Sequence, residues 1–109
     1  PYVQAIGTEE FVFTSGQIPL NPENGELVTE ISAAARQSLN NIKAILEESG
    51  SSLDKVIKCT VFLADINDFA AVNEVYKEFF DEHKPARSAI QVAALPLGAP
   101  LEIEAIASL

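Results

Sequence analysis

Basic residues are scarce in this chain: seven lysines and arginines face sixteen aspartates and glutamates, a formal net charge of −9. Such a surface repels phosphate backbones and anionic lipid heads, which argues against nucleic-acid and membrane partners. There is one cysteine, Cys59, and one histidine, His83. A lone cysteine excludes an internal disulfide and suits a reducing compartment. Without a histidine cluster or a Cys/His ligand spacing, no transition-metal site is expected. No Walker-type loop or GxGxxG offers a seat for a nucleotide cofactor. No signal peptide or apolar run of membrane-spanning length is visible, so the chain reads as soluble and cytoplasmic. It begins at Pro1 instead of Met, as a trimmed chain would.

What is present is apolar. Of 109 residues, 48% are hydrophobic, and the length fits a single domain spanning 1–109. The apolar segments exceed what one small core needs, which predicts an oligomer whose subunits bury sheet surface against one another.

The periodicity predicts short strands at Val3–Ile6 and Glu10–Thr14, with a break at Ser15-Gly16-Gln17-Ile18-Pro19 and a turn-rich loop at 21–25. Ile31, Ala35, Leu39, Ile42, Ile45 and Leu46 recur at helical spacing between about Thr29 and Ser49, with Gly50 placed to end the helix. Val56–Leu63 alternates as a strand, with Ile57, Cys59, Val61 and Leu63 on one face. A second helix opens at Asn67 or Asp68, either able to cap it, with Phe69, Val72, Tyr76, Phe79 and Phe80 as its buried stripe. Strands Arg87–Ala94 and Leu101–Ser108 close the chain. The order ββαβαββ implies an α+β sandwich with one sheet and both helices on one face. The other face then needs a cover. The mixture of Arg87, Ala89, Gln91 and Ala93 in one strand with Glu102 and Glu104 in the other suits an interface holding a polar pocket.

Only two arginines exist, Arg36 and Arg87. Arg36 falls on the polar side of a helix and reads as a surface residue. Arg87 follows Pro85-Ala86, where proline restricts the chain just before a strand. A guanidinium held there either grips a carboxylate ligand through two parallel hydrogen bonds or pairs with a surface acid. Glu102 and Glu104 leave one face of a strand, placed to orient or deprotonate a water, or simply solvated. Cys59 reads as a small core residue, and His83 as a partner to a helix C-terminus. Ser15-Gly16 ends a strand where glycine permits close approach to the backbone. Tyr2 and Asn73 read by themselves as a surface aromatic and a helix-face polar residue.

Five stretches change the weight of these residues together: Pro1-Tyr2-Val3-Gln4-Ala5, Thr14–Pro19, Asn67–Asn73, Pro85-Ala86-Arg87-Ser88 and Glu102-Ile103-Glu104-Ala105-Ile106-Ala107. Their order resembles the Rid (YjgF-like) family over essentially the whole chain. The resemblance implies a chorismate-mutase-like homotrimer with clefts between subunits. It also implies cofactor-free hydrolysis of reactive 2-imino and 2-enamino acids to 2-keto acids and ammonia, a form of metabolite damage control. By position, Arg87 resembles the arginine that binds the substrate carboxylate, and Glu102 the residue that handles the attacking water. Tyr2, Ser15, Gly16 and Asn73 match cleft-lining residues. Many family members carry cysteine two residues after the arginine; here that position is Ala89, whose backbone can still serve. A second reading is a trimer that senses a small keto or amino acid without turnover. A third, endoribonuclease or translation inhibitor, is disfavoured by one histidine and a −9 charge.

The last two strands pose a geometric problem. If they form a hairpin through Leu95–Pro100, Glu102 lies opposite Ala93 and Arg87 sits roughly 20 Å away along the strand. Either the strands do not pair this way, or a site using both residues draws them from neighbouring subunits.

Overall fold

The computed structural model describes residues 1–109. Five strands form one mixed sheet: β1 (Ala5–Gly7), β2 (Phe11–Thr14), β3 (Val56–Leu63), β4 (Ala86–Gln91) and β5 (Leu101–Ser108). Helix α1 (Ile31–Glu48) follows β2, and α2 (Phe69–Phe79) links β3 to β4. The spatial order is β1-β2-β5-β3-β4. β3 and β4 are parallel, as a strand-helix-strand crossover requires, and all other pairs are antiparallel.

The core follows from alternation in the two central strands, broken in β3 by a bulge between Val56 and Lys58 that leaves Ile57, expected on the Cys59 face, exposed. Cys59, Val61 and Leu63 of β3 and Leu101, Ile103, Ala105 and Ala107 of β5 are buried and face the helices. Against them α1 sets Ala35, Leu39, Ile42 and Leu46, and α2 sets Val72, Val75 and Tyr76, all in one continuous cluster. Both helices therefore cover the same sheet face. Of the predicted α2 stripe, Val72, Tyr76 and Phe80 are buried, whereas Phe69 and Phe79 are half-buried at its margins.

The ends of the helices are set by local chemistry. The Glu30 carboxylate accepts the Ala33 N–H at 2.7 Å and caps α1. Gly50, at φ +88°, turns the chain away after α1, and the Ser51 N–H reaches back to the Leu46 carbonyl. The expected cap of α2 differs. The Asp68 side chain makes no capping bond; Asp65 instead accepts the Asn67 N–H and starts a short 3-10 turn, Ile66–Asp68, that leads into the helix.

The expected hairpin between the last two strands does not form. β3 inserts between them, pairing with β4 on one side and β5 on the other. β4 is also shorter than expected, ending at Gln91 where the chain leaves to cross to β5. His83 does not serve a helix end; its Nε2 bonds the Val56 carbonyl at the start of β3, 2.5 Å away.

The uncovered face is partly apolar. Ile6, Phe13 and Ile90 are exposed there, with Lys58, Thr60, Glu102 and Glu104 between them. Phe13, Thr14, Lys58, Thr60, Glu104 and Ile106 surround a shallow depression of about 110 Å³ at its centre.

Candidate functional site

The predicted site residues fall into two groups that one chain does not bring together. Arg87 is in register with Cys59 of β3, and Cys59 with Ala105 of β5, so Arg87 belongs to the helix-facing set. Glu102 is in register with Phe62, one pleat out of phase, and leaves the opposite face. The expectation that Arg87 and the two glutamates share the uncovered side is therefore corrected. One intervening strand, β3, and three register positions separate Arg87 from Glu102, and the sheet itself lies between the side chains.

The first group surrounds Glu102. Gln17 and Ile103 exchange backbone hydrogen bonds of 2.7 and 3.1 Å, which places Gly16 directly beside Glu102. The approach is so close that a Cβ on Gly16 would stand 2.7 Å from the Glu102 Cδ. Glycine thus leaves room for the Glu102 side chain in this position, and its φ makes no demand. Ser15 Oγ donates to the Val3 carbonyl and the Ser15 N–H to the Gln4 carbonyl, holding the segment after Tyr2 against the same corner. Tyr2 itself is 75% exposed, without a partner side chain. Burial raises the Glu102 pKa above the ordinary carboxylate value, and repulsion from Glu104 adds to the rise. Such a carboxylate is a stronger base once ionised.

The second group surrounds Arg87. Its guanidinium carbon lies 5.1 Å from the Phe69 ring centroid and 4.6 Å from that of Tyr76. Asn73 Oδ1 accepts from Arg87 Nη1 at 2.8 Å. Phe69, Asn73 and Tyr76 stand at i, i+4 and i+7 of α2 and so share one helix face. The chain contains two ion pairs, Arg36–Glu78 and Lys77–Glu74, and neither involves Arg87. In a protein with sixteen acids, this arginine has no carboxylate partner. It opens onto a groove of about 300 Å³ lined by Asn73, Tyr76, Phe80, Lys84 and Pro85. Ala89, two residues on, packs its methyl group against the core on the same side of β4. Arg36, by contrast, pairs with Glu78 across the two helices at 2.9 Å, as its place on the polar side suggests.

Phe69 and Tyr76 are the residues that sequence reasoning missed, since both read as core. The available signal was Asn73, a polar side chain between two aromatics on one helix face. Beneath them lies Cys59, whose thiol is pushed up to about 11 by burial and is inert as a nucleophile at neutral pH. The Tyr76 pKa is driven far up by burial and by Cys59 beside it, and its buried hydroxyl has no hydrogen-bond partner. No group of three or more His, Cys, Asp or Glu residues is arranged to hold a metal ion. No helix is long and apolar enough to cross a membrane.

The whole chain has relatives of known structure. It is 51% identical to the 2-iminobutanoate/2-iminopropanoate deaminase of Escherichia coli, over 98% of this chain and 86% of that protein. The crystal structure of E. coli TdcF with bound serine superposes with a TM-score of 0.96 at 54% identity, covering 100% of this chain and 88% of the other. That of the E. coli YjgF gene product gives a TM-score of 0.95 at 50% identity, covering 99% and 87%. The family model described as endoribonuclease L-PSP matches residues 1–109. With that match over its full length, the chain belongs to the endoribonuclease L-PSP family, the YjgF/Rid family.

Proposed function

We propose that this protein is a 2-iminobutanoate/2-iminopropanoate deaminase, acting at clefts where Arg87 of one subunit meets Glu102 of the next in a cytoplasmic homotrimer. The observation that carries this reading is Arg87 itself: a cation fixed by aromatic rings and an amide, opening on a groove, with no acid to neutralise it. A 2-imino acid supplies the missing carboxylate. The identity to an E. coli deaminase over nearly the full chain supports the substrate class.

The chemistry asks little of the protein. Arg87 binds the carboxylate, placing the electrophilic C=N carbon in a fixed position. Glu102, with its pKa raised, accepts a proton from a water as the oxygen adds to that carbon, then returns it to nitrogen. Collapse of the carbinolamine breaks the C–N bond and yields one 2-keto acid and one ammonia for each water consumed. Gly16 leaves room for Glu102, and the backbone near Gly16 and Ala89 is available to contact the ligand. Tyr2, Ser15 and Asn73 line the cleft. The chorismate-mutase-like assembly buries the uncovered sheet face, with its exposed Ile6, Phe13 and Ile90.

The test generates 2-iminobutanoate in situ with a threonine dehydratase and follows release of 2-ketobutanoate. The native protein accelerates release, whereas Arg87→Ala and Glu102→Gln do not. Mixed after denaturation and refolding at equal ratio, the two inactive variants recover about a quarter of native activity, because each cleft draws its two residues from different chains. No recovery would place both residues in one subunit's site. A second reading is favoured by the serine in TdcF: the cleft senses a small amino or keto acid without turnover. Keto-acid binding by an intact trimer that hydrolyses no imine would select it.

A further inference from the structure

The environment of Arg87 is unusual in what it withholds. A guanidinium is a plane with five donors. A carboxylate partner inside the chain would orient it but would occupy its fork and cancel its charge. Here orientation comes from groups that leave the fork open. The Phe69 and Tyr76 rings attract the cation through their quadrupoles while consuming no donor. Asn73 takes a single Nη1 donor, leaving the Nε–Nη2 edge without a protein partner. Tyr76 is only 7% exposed and packs on Phe80 at a 4.7 Å centroid distance, so its ring is itself immobile. The two aromatics are two helical turns apart on α2, with Asn73 between them.

We propose that Phe69 and Tyr76 are positioning residues that hold the Arg87 guanidinium with its free edge presented to a ligand carboxylate. This rests on reading Arg87 as the carboxylate binder. The ring faces carry the effect, and the buried Tyr76 hydroxyl contributes nothing to it. A guanidinium released from the rings would swing among rotamers, or find one of the many surface acids, and the ligand would have to reorder it on binding.

The experiment compares the native protein with Phe69→Leu, Tyr76→Leu, Tyr76→Phe and Val75→Ala, the last a buried α2 residue of the hydrophobic core. Affinity for 2-ketobutanoate is measured by calorimetry, and kcat and KM by imine hydrolysis. Both leucine variants are expected to bind 2-ketobutanoate about 5- to 30-fold more weakly, with KM raised in step and kcat within about twofold of native. Tyr76→Phe and Val75→Ala are expected to bind as the native protein does. Native affinity in the leucine variants overturns the proposal. So does a Tyr76→Phe loss equal to that of Tyr76→Leu, which would assign the effect to the hydroxyl. An equal loss in Val75→Ala would reduce it to general loosening of α2, and also overturns it. If the native protein binds the keto acid with the expected pattern but hydrolyses nothing, the deaminase reading falls and the clamp stands. If it hydrolyses imine while the leucine variants match it, the clamp falls and the deaminase stands. A native protein that does neither overturns both.

Discussion

At the scale of single residues, the two glutamates of β5 set the pH behaviour. Glu102 titrates above the ordinary carboxylate value because it is partly buried and faces Glu104. Hydrolysis by a base at this position should therefore fall as pH drops through a pKa raised above the ordinary carboxylate range, and Glu104→Gln should move that limb to lower pH. A profile of kcat/KM against pH for the two proteins checks this. The stability consequence has the opposite sense from that of a salt-bridged acid. The folded state binds the Glu102 proton more tightly than the unfolded chain does. Its contribution to stability is thus present below the unfolded pKa and lost as pH rises through the folded one. Glu102→Gln should raise the melting temperature at neutral pH, with the gap closing toward acid, while activity is lost throughout. Gly16→Ala probes the same corner. The added methyl meets only the flexible end of Glu102, which can swing away. The expected result is a small change in melting temperature with at least a tenfold loss of kcat, since a shift of about 1 Å at the reacting group is costly.

At the scale of elements, the strands with the clearest alternation were legible in their bounds: Val56–Leu63 and Leu101–Ser108 run where their patterns predict, and only Ile57 leaves the predicted face. Helix α1 was legible from its spacing and its terminal glycine. Gly50→Ala should cost about 1 kcal/mol in denaturant unfolding, because an alanine at φ +88° is strained. Strand β4 was harder to read. Val92, Ala93 and Ala94 beyond Gln91 continue an apolar run without any local signal for a stop. Nor does anything local say that β3 will slip between β4 and β5; that order is set by the pairing of β3 with both strands, a long-range property. The face on which Arg87 lies depends on this pairing, and so the sequence placed the arginine on the wrong side. Phe69 and Tyr76 were hidden for a related reason. An apolar stripe looks the same whether it packs on leucine or on a guanidinium.

At the scale of the whole molecule, the uncovered sheet face is the feature that demands explanation. Its exposed Ile6, Phe13 and Ile90, set among polar residues, fit a surface made for copies of the same chain. Sedimentation of the native protein should give a trimer. Phe13→Glu should shift it toward monomers that retain the native circular dichroism yet lose hydrolysis, because Phe13 is already 43% exposed in the single chain. A monomeric native protein would remove the basis for shared clefts.

The placement of Arg87 and Glu102 on opposite sides of one sheet also bears on kinetics. If the two act together only across a subunit boundary, a lone chain carries half a catalyst, and the rate is not first order in total protein. Specific activity should then fall on dilution through the dissociation constant of the assembly and return on concentrating. Any factor that changes expression level would change the turnover of each chain as well as the number of chains.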